Sequence, residues 1–263
     1  MVVQELTYLT NKVADLIIEA KRNVVFTGAG VSTESGIADF RSQGGIWSKY
    51  DPDEFTYQKF VSDSEARKKH WRMLTSGGLT KEAEPNAAHY AIAELEKLGK
   101  LDCVITQNVD NLHQKAGNSG NKVLELHGNM RRAVCLKCHR QFAVGEILHR
   151  LKQGEEVPDC PDCHGILKPD AVLFGEALPQ ETFREAVQHT RNCDLFIVIG
   201  STLVVYPAAY MPIYAKEAGA KLVIINLSST PLDQQATVLI REKAGEIMGR
   251  VMEKVRDKLK MAT

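Results

Sequence analysis

Four cysteines in two close pairs, Cys135-x-x-Cys138 and Cys160-x-x-Cys163, constrain this chain more than any other feature. Each pair forms a tight knuckle whose two thiolates can face one ion. Four thiolates close a tetrahedral shell around zinc, with no position left for water or substrate, so such a zinc is structural. The 21 residues between the pairs (139 to 159) lie slightly beyond the usual zinc-ribbon spacing. Arg131 to Lys168 shows little core-forming pattern and is expected to be held by metal instead of by burial. Six cysteines in 263 residues, without a secretory signal, do not suit a disulfide scaffold. Cys103 and Cys193 stand alone beside expected strands and read as core thiols, and His164 reads as a solvated neighbour of the metal site.

Elsewhere, short apolar, β-branched runs recur: Asn23 to Thr27, Leu101 to Thr106, Val123 to Leu126, Asp194 to Ile199 and Lys221 to Ile225. They read as buried strands. Helical patterns at Ala87 to Leu98 and Pro179 to Thr190 lie between them, the alternation of a parallel sheet with helices on both faces. Met1 to Ala20 places Leu6, Leu9, Val13, Leu16 and Ile17 at helical spacing, and Ile247, Val251, Val255 and Leu259 mark a C-terminal helix. Ser42 to Glu84 is polar, contains Gly44-Gly45 and Gly77-Gly78, and is expected to form a flap of loop and short helices. No stretch approaches the roughly 18 apolar residues of a membrane span, and the N-terminus lacks the pattern of a signal peptide, so a cytoplasmic protein is expected. Lys+Arg and Asp+Glu both number 33. No sequence-wide field exists to hold nucleic acid or a membrane surface.

Gly28-Ala29-Gly30 follows the strand Val24-Val25-Phe26 where a helix is expected, a place where glycines let the backbone approach a phosphate and helix N–H groups meet its charge. The dinucleotide fingerprint is incomplete, because its third glycine would fall at Thr33. Polar clusters end four strands: Gln107-Asn108-Val109-Asp110, His127-Gly128, Gly200-Ser201-Thr202 and Asn226-Leu227-Ser228. In an open parallel sheet these strand ends converge on one cleft. His127 ends a strand and is the candidate proton acceptor; His70, His89, His113, His139, His149 and His189 read as structural.

Taken in order, several strings resemble the sirtuin family of NAD-dependent protein deacylases, of bacterial or archaeal type. They are Gly28 to Thr33, Gly36-Ile37-Ala38-Asp39-Phe40-Arg41, Thr106 to Asp110, Leu126-His127-Gly128, both cysteine pairs, Val172-Leu173-Phe174-Gly175-Glu176, Gly200-Ser201-Thr202 and Val205-Tyr206-Pro207. The resemblance implies an α/β fold: a Rossmann-like domain (1–41, 85–130 and 169–263), plus a small domain made of the helical flap (42–84) and the zinc module (131–168). NAD is implied in the cleft between them. By matching position, Gly28, Ala29, Gly30, Thr33, Phe40 and Arg41 would line the phosphate and ribose path. Gln107, Val109 and Asp110 would hold the nicotinamide end, with Asn108 and Ser32 positioning the ribose for reaction. Gly200, Ser201, Thr202, Asn226, Leu227 and Ala244 would face the adenosine half.

The implied chemistry is attack of the acetyl-lysine carbonyl oxygen on C1′ of the nicotinamide ribose, giving an alkylamidate as nicotinamide leaves. His127 then acts as general base on a ribose hydroxyl, and the products are lysine and O-acetyl-ADP-ribose. The peptide is expected to add as an extended strand between Val172, Phe174, Gly175 and Glu176 on one side and Gly200 to Val205 on the other. Relatives that prefer acidic acyl groups use Tyr-x-x-Arg, and no tyrosine here is followed that way, so uncharged acyl groups are expected. Ala38 stands where the family usually has proline. The loop loses a fixed φ, so Ala38→Pro is expected to tighten or speed NAD binding without changing the chemistry; equal affinities by titration calorimetry would discard this. The competing readings are a mono-ADP-ribosyltransferase, a hydride-transferring dehydrogenase and a non-catalytic zinc-containing interaction module.

Overall fold

In the five-residue strand β1 (Asn23–Thr27) every residue is buried. Val25 faces one apolar cluster while Val24 and Phe26 face another. A strand whose alternating side chains are buried on both faces must be covered on both, which is the condition of a parallel sheet between helical layers. The computed structural model describes residues 2–75 and 83–261. Its main sheet holds β1 with β2 (Cys103–Thr106), β3 (Val123–Glu125), β7 (Leu195–Ile199), β8 (Lys221–Ile225) and β9 (Val238–Ile240). The order is β3-β2-β1-β7-β8-β9, all parallel. Helices α1 (Val2–Glu19), α4 (Ala87–Lys97) and α9 (Ala244–Met261) cover one face. The other face is covered by α7 (Gln180–Arg191) and α8 (Met211–Glu217). The short α5 (Leu112–Ala116) follows β2.

Strand order fixes where a ligand can enter. From β1 the chain builds outward through β2 and β3, then returns to place β7 on the other side of β1 and builds outward again through β8 and β9. The connections leaving β1 and β7 therefore diverge and open a crevice at their carboxyl ends. Gly28, Gly30 and Gly200 let these two turns touch. A Cβ on Gly30 would stand 2.8 Å from the Cα of Gly200, and one on Gly200, whose φ is +64°, would stand 2.2 Å from the Val31 nitrogen. The glycines thus serve backbone-to-backbone packing as well as any ligand. The helix expected after them is a seven-residue 3-10 segment, Ala29–Ser35.

A second, antiparallel sheet contains β4 (Gly128–Cys135), β5 (Gln141–Ala143) and β6 (Leu167–Ala171) in the order β5-β4-β6. With α6 (Val144–Lys152) it forms the zinc module, so its strands extend a few residues beyond 131–168 on either side. Burial does more here than the sequence pattern suggests: Met130, Ala133, Cys135, Phe142, Ile147, Cys160 and Leu167 share one cluster with Trp71 and Leu74. The last two come from α3 (Ser64–Thr75), which with α2 (Tyr57–Ser62) forms the flap, so flap and zinc module share a core. Gly77 and Gly78 lie outside the described residues. Among the described residues no helix is long and apolar enough to cross a membrane.

Candidate active site

The four cysteine sulfurs lie within 4.8 Å of one another. The Cys135–Cys163 and Cys138–Cys160 Sγ separations are 3.5 and 3.7 Å, against about 3.8 Å for two corners of a zinc–sulfur tetrahedron with ~2.3 Å bonds. Both knuckles close in the same way. His139 and His164, the residues after each pair, have φ of +60° and +53°, and their amides donate to the carbonyls of Cys135 and Cys160. The amides of Lys137 and Cys138 point at Cys135 Sγ, each at 3.4 Å. The donor set and its spacing fit one structural zinc. His164 is solvated, with Nδ1 on Asp159.

Beyond the carboxyl ends of β1, β7 and β8 lies a cavity of about 480 Å³. Its walls bring together every non-cysteine residue assigned from the sequence to catalysis, NAD or the peptide. Gly28, Ala29, Gly30, Ser32 and Thr33 come from the turn after β1, and Phe40 and Arg41 from the loop that follows. Gln107, Asn108, Val109 and Asp110 come from the end of β2, and His127 from the end of β3. Val172, Phe174, Gly175 and Glu176 follow β6, while Gly200, Ser201, Thr202 and Val205 follow β7. Asn226 and Leu227 follow β8, and Ala244 starts α9.

His127 is set up as a base. Its Nδ1 lies 2.9 Å from the Gln107 carbonyl oxygen. A carbonyl only accepts, so Nδ1 carries the proton and Nε2 keeps its lone pair. Burial holds the pKa below the ordinary 6.5, against the raising effect of that hydrogen bond, so the imidazole is neutral near pH 7. Beside it, Asn108 Nδ2 donates to Ser32 Oγ (3.1 Å) and to the Gly28 carbonyl (3.2 Å), and Ser32 Oγ donates to Asp110 Oδ2 at 2.7 Å. Gln107 Nε2 donates to Ser201 Oγ at 2.8 Å, tying the ends of β2 and β7 together. Ser32 and Asn108 are buried, so this network is a fixed wall.

Two further sets of residues adjoin the site. His89, read as structural, is buried with Nε2 3.5 Å from Ser32 Oγ. Its Nδ1 accepts the Asn86 amide, so Nε2 is the donor; burial pushes its pKa down to about 4, with Asp110 opposing. The only local signal was the Asn86-x-x-His89 helix start. The other set roofs the cavity. Trp47 packs against Phe40, Phe55 and Phe174 with ring centroids 5.2, 5.4 and 5.7 Å away, and His70, Met73 and Leu74 of α3 complete that wall.

The segment after β6 is gripped from two sides. The Val172 amide donates to the His127 carbonyl. Phe174 gives its amide to Phe55 and its carbonyl to Tyr57, so its backbone is already used by the flap. Gly175 and, on the opposite wall, Val204 make no backbone hydrogen bond among the described residues. Behind the segment, the buried Lys168 Nζ donates to the carbonyls of Pro169 (2.9 Å) and Ala171 (2.7 Å) and pairs with Glu176 at 3.2 Å. Lys168→Met leaves those acceptors and a carboxylate without their donor. We expect a loss of about 2 kcal/mol in urea unfolding, with Lys168→Arg retaining most of it; an unchanged midpoint in the methionine variant would show the grip to be idle.

Known proteins match this arrangement over most of its length. The Sir2 family model matches residues 28–207. The chain is 46% identical over 250 residues, 93% of this chain and 95% of the relative, to NAD-dependent protein deacylase 2 of Archaeoglobus fulgidus. It is 45% identical over 250 residues, 95% and 96% of the two chains, to NAD-dependent protein deacetylase 1 of Pyrobaculum aerophilum. A Sir2 structure solved with deacetylated p53 peptide and 3′-O-acetyl ADP ribose superposes with a TM-score of 0.86 at 42% identity, covering 92% of this chain and 97% of that one. With a family model matching residues 28–207 and relatives about 45% identical over most of both chains, this chain belongs to the Sir2 family.

Proposed function

We propose that this protein is an NAD-dependent protein-lysine deacetylase that converts acetyl-lysine and NAD to lysine, nicotinamide and O-acetyl-ADP-ribose. The observation that carries the reading is His127 with its Nε2 unprotonated, in one cleft with the glycine turn of β1 and the ends of β2, β7 and β8. In this reading Gly28, Ala29, Gly30, Thr33, Phe40 and Arg41 take the phosphates and ribose of NAD. Gly200, Ser201, Thr202, Asn226, Leu227 and Ala244 take the adenosine half, and Gln107 to Asp110 the nicotinamide end. Asn108 and Ser32, cross-linked to Asp110, hold the reacting ribose still.

A weak nucleophile such as an amide oxygen displaces nicotinamide only if held in line and shielded from water. The Phe40–Trp47–Phe55 roof supplies the shielding. His127 Nε2 then accepts a proton from a ribose hydroxyl, which attacks the amidate carbon; the zinc takes no part. The peptide adds as a strand through the open backbone groups of Gly175 and Val204, with Phe174 contributing its side chain. Met73 and Leu74 make the flap wall apolar, which favours uncharged acyl groups; efficient desuccinylation by the wild-type protein would overturn that preference. The domain division at 41/42, 84/85, 130/131 and 168/169, a cytoplasmic location and the lack of a direct nucleic-acid partner belong to the same reading.

The test is to incubate the protein with NAD and an acetyl-lysine peptide and identify every product by mass spectrometry. Free lysine peptide with equimolar nicotinamide and O-acetyl-ADP-ribose is expected. ADP-ribose left on protein would move the assignment to a mono-ADP-ribosyltransferase, and a reduced nicotinamide to a dehydrogenase.

A further inference from the structure

We infer that a row of tyrosines leading away from the cleft mouth is a subsite for an arginine side chain of the substrate protein, a few residues along from the acyl-lysine. The inference rests on the deacetylase reading for its substrate and on independent geometry for its chemistry. Tyr206 lines the cavity rim and is 54% exposed, and Tyr210 is 42% exposed. Their ring centroids are 4.7 Å apart, tilted by 60°, and Tyr210 stacks on Tyr214 at 5.9 Å and 22°. The row has a firm base, because Ala208, Ala209, Met211 and Ala215 beneath it are fully or almost fully buried.

The inner end of the row already shows what it binds. The Arg191 guanidinium sits 5.2 Å from the Tyr214 ring centroid, a planar cation over a ring face. The outer end, Tyr206, touches no other ring or cation than Tyr210 among the described residues. It joins exposed Val204 and Phe174 at the cavity mouth, and exposed apolar groups gathered at one place mark an interaction surface. Ring faces carry negative potential, so an acidic side chain is disfavoured there. An ammonium keeps its water more tightly than a guanidinium does, so lysine gains less. An extended peptide advances about 3.3 Å per residue, so the position of the arginine along the peptide measures its distance from the acyl-lysine.

The experiment walks one arginine through an otherwise alanine-rich acetyl-lysine peptide, from four residues before the lysine to four after. It reads Kd by fluorescence anisotropy and kcat/KM in parallel. At one or two positions arginine is expected to bind about two- to five-fold tighter than alanine, and citrulline is expected not to. The gain disappears in Tyr210→Leu and survives in Tyr210→Phe, while the arginine-free peptide binds all three proteins alike. A flat scan overturns the inference, as does a gain that persists in Tyr210→Leu or with citrulline. Binding that follows the expected pattern without turnover of any peptide would support the subsite and sink the deacetylase reading; no binding of any acetyl-lysine peptide would sink both.

Discussion

His127→Ala is expected to lower deacetylation about 10²- to 10⁴-fold, the usual contribution of a positioned general base, in a chain that still folds. The side chain faces the cavity, so water replaces its hydrogen bond to the Gln107 carbonyl, and stability should change by no more than about 1 kcal/mol. Because the base is needed only after nicotinamide has left, exchange of labelled nicotinamide into NAD should survive the substitution while O-acetyl-ADP-ribose fails to form. Equal loss of both would mean that His127 holds NAD or acts in the first step. The wild-type pH profile follows from the direction of the shift. Burial lowers the pKa below 6.5, the active form is the neutral one, and protonation removes it. kcat/KM should therefore rise with pH on an acid limb centred below 6.5 and level off above it. A limb centred above 6.5 would contradict the assignment.

The strands of the main sheet were legible because each is a continuous apolar run, as a strand covered on both faces must be. β9 was not: three residues carry too little pattern. The small sheet was hidden for a different reason. β4 exposes Arg131 and Arg132 in its middle, and β6 holds Lys168 and Pro169, both buried, where a strand would be read from apolar residues. A lysine that finds three oxygen partners in the folded chain cannot be told in the sequence from one in solvent. The cleft residues at strand ends were readable from position alone, since topology delivers them to one place. The flap residues Trp47, Phe55 and His70 were not, because their facing the cavity depends on packing between the flap and the segment after β6. The glycines were half read: the phosphate argument is local, whereas the contact of Gly30 with Gly200 depends on β1 and β7 being neighbours.

Removing the zinc is expected to stop turnover although the ion is remote from the chemistry in mechanism. The cluster shared by flap and zinc module has nine buried residues, and two of them are the ligands Cys135 and Cys160. A core that small does not hold a fold without a staple, while structural zinc sites contribute on the order of 10 kcal/mol or more. The loss would spread to the cleft along the chain. β4 begins at the residue after His127, β6 leads straight into Val172, and the Val172 amide is bonded to the His127 carbonyl. The main sheet has its own two clusters and does not depend on the ion. Chelation should therefore release one equivalent of zinc and lower activity at least about 100-fold. Amide protection should vanish in β4 and β6 and persist in β1, β7 and β8, and added zinc should restore both properties. A Cys138→Ser, Cys163→Ser double variant should match the chelated protein. If zinc-free protein kept its β4 protection and its activity, burial by Trp71, Leu74, Phe142 and Ile147 would be holding the module, and the metal would be dispensable to the fold.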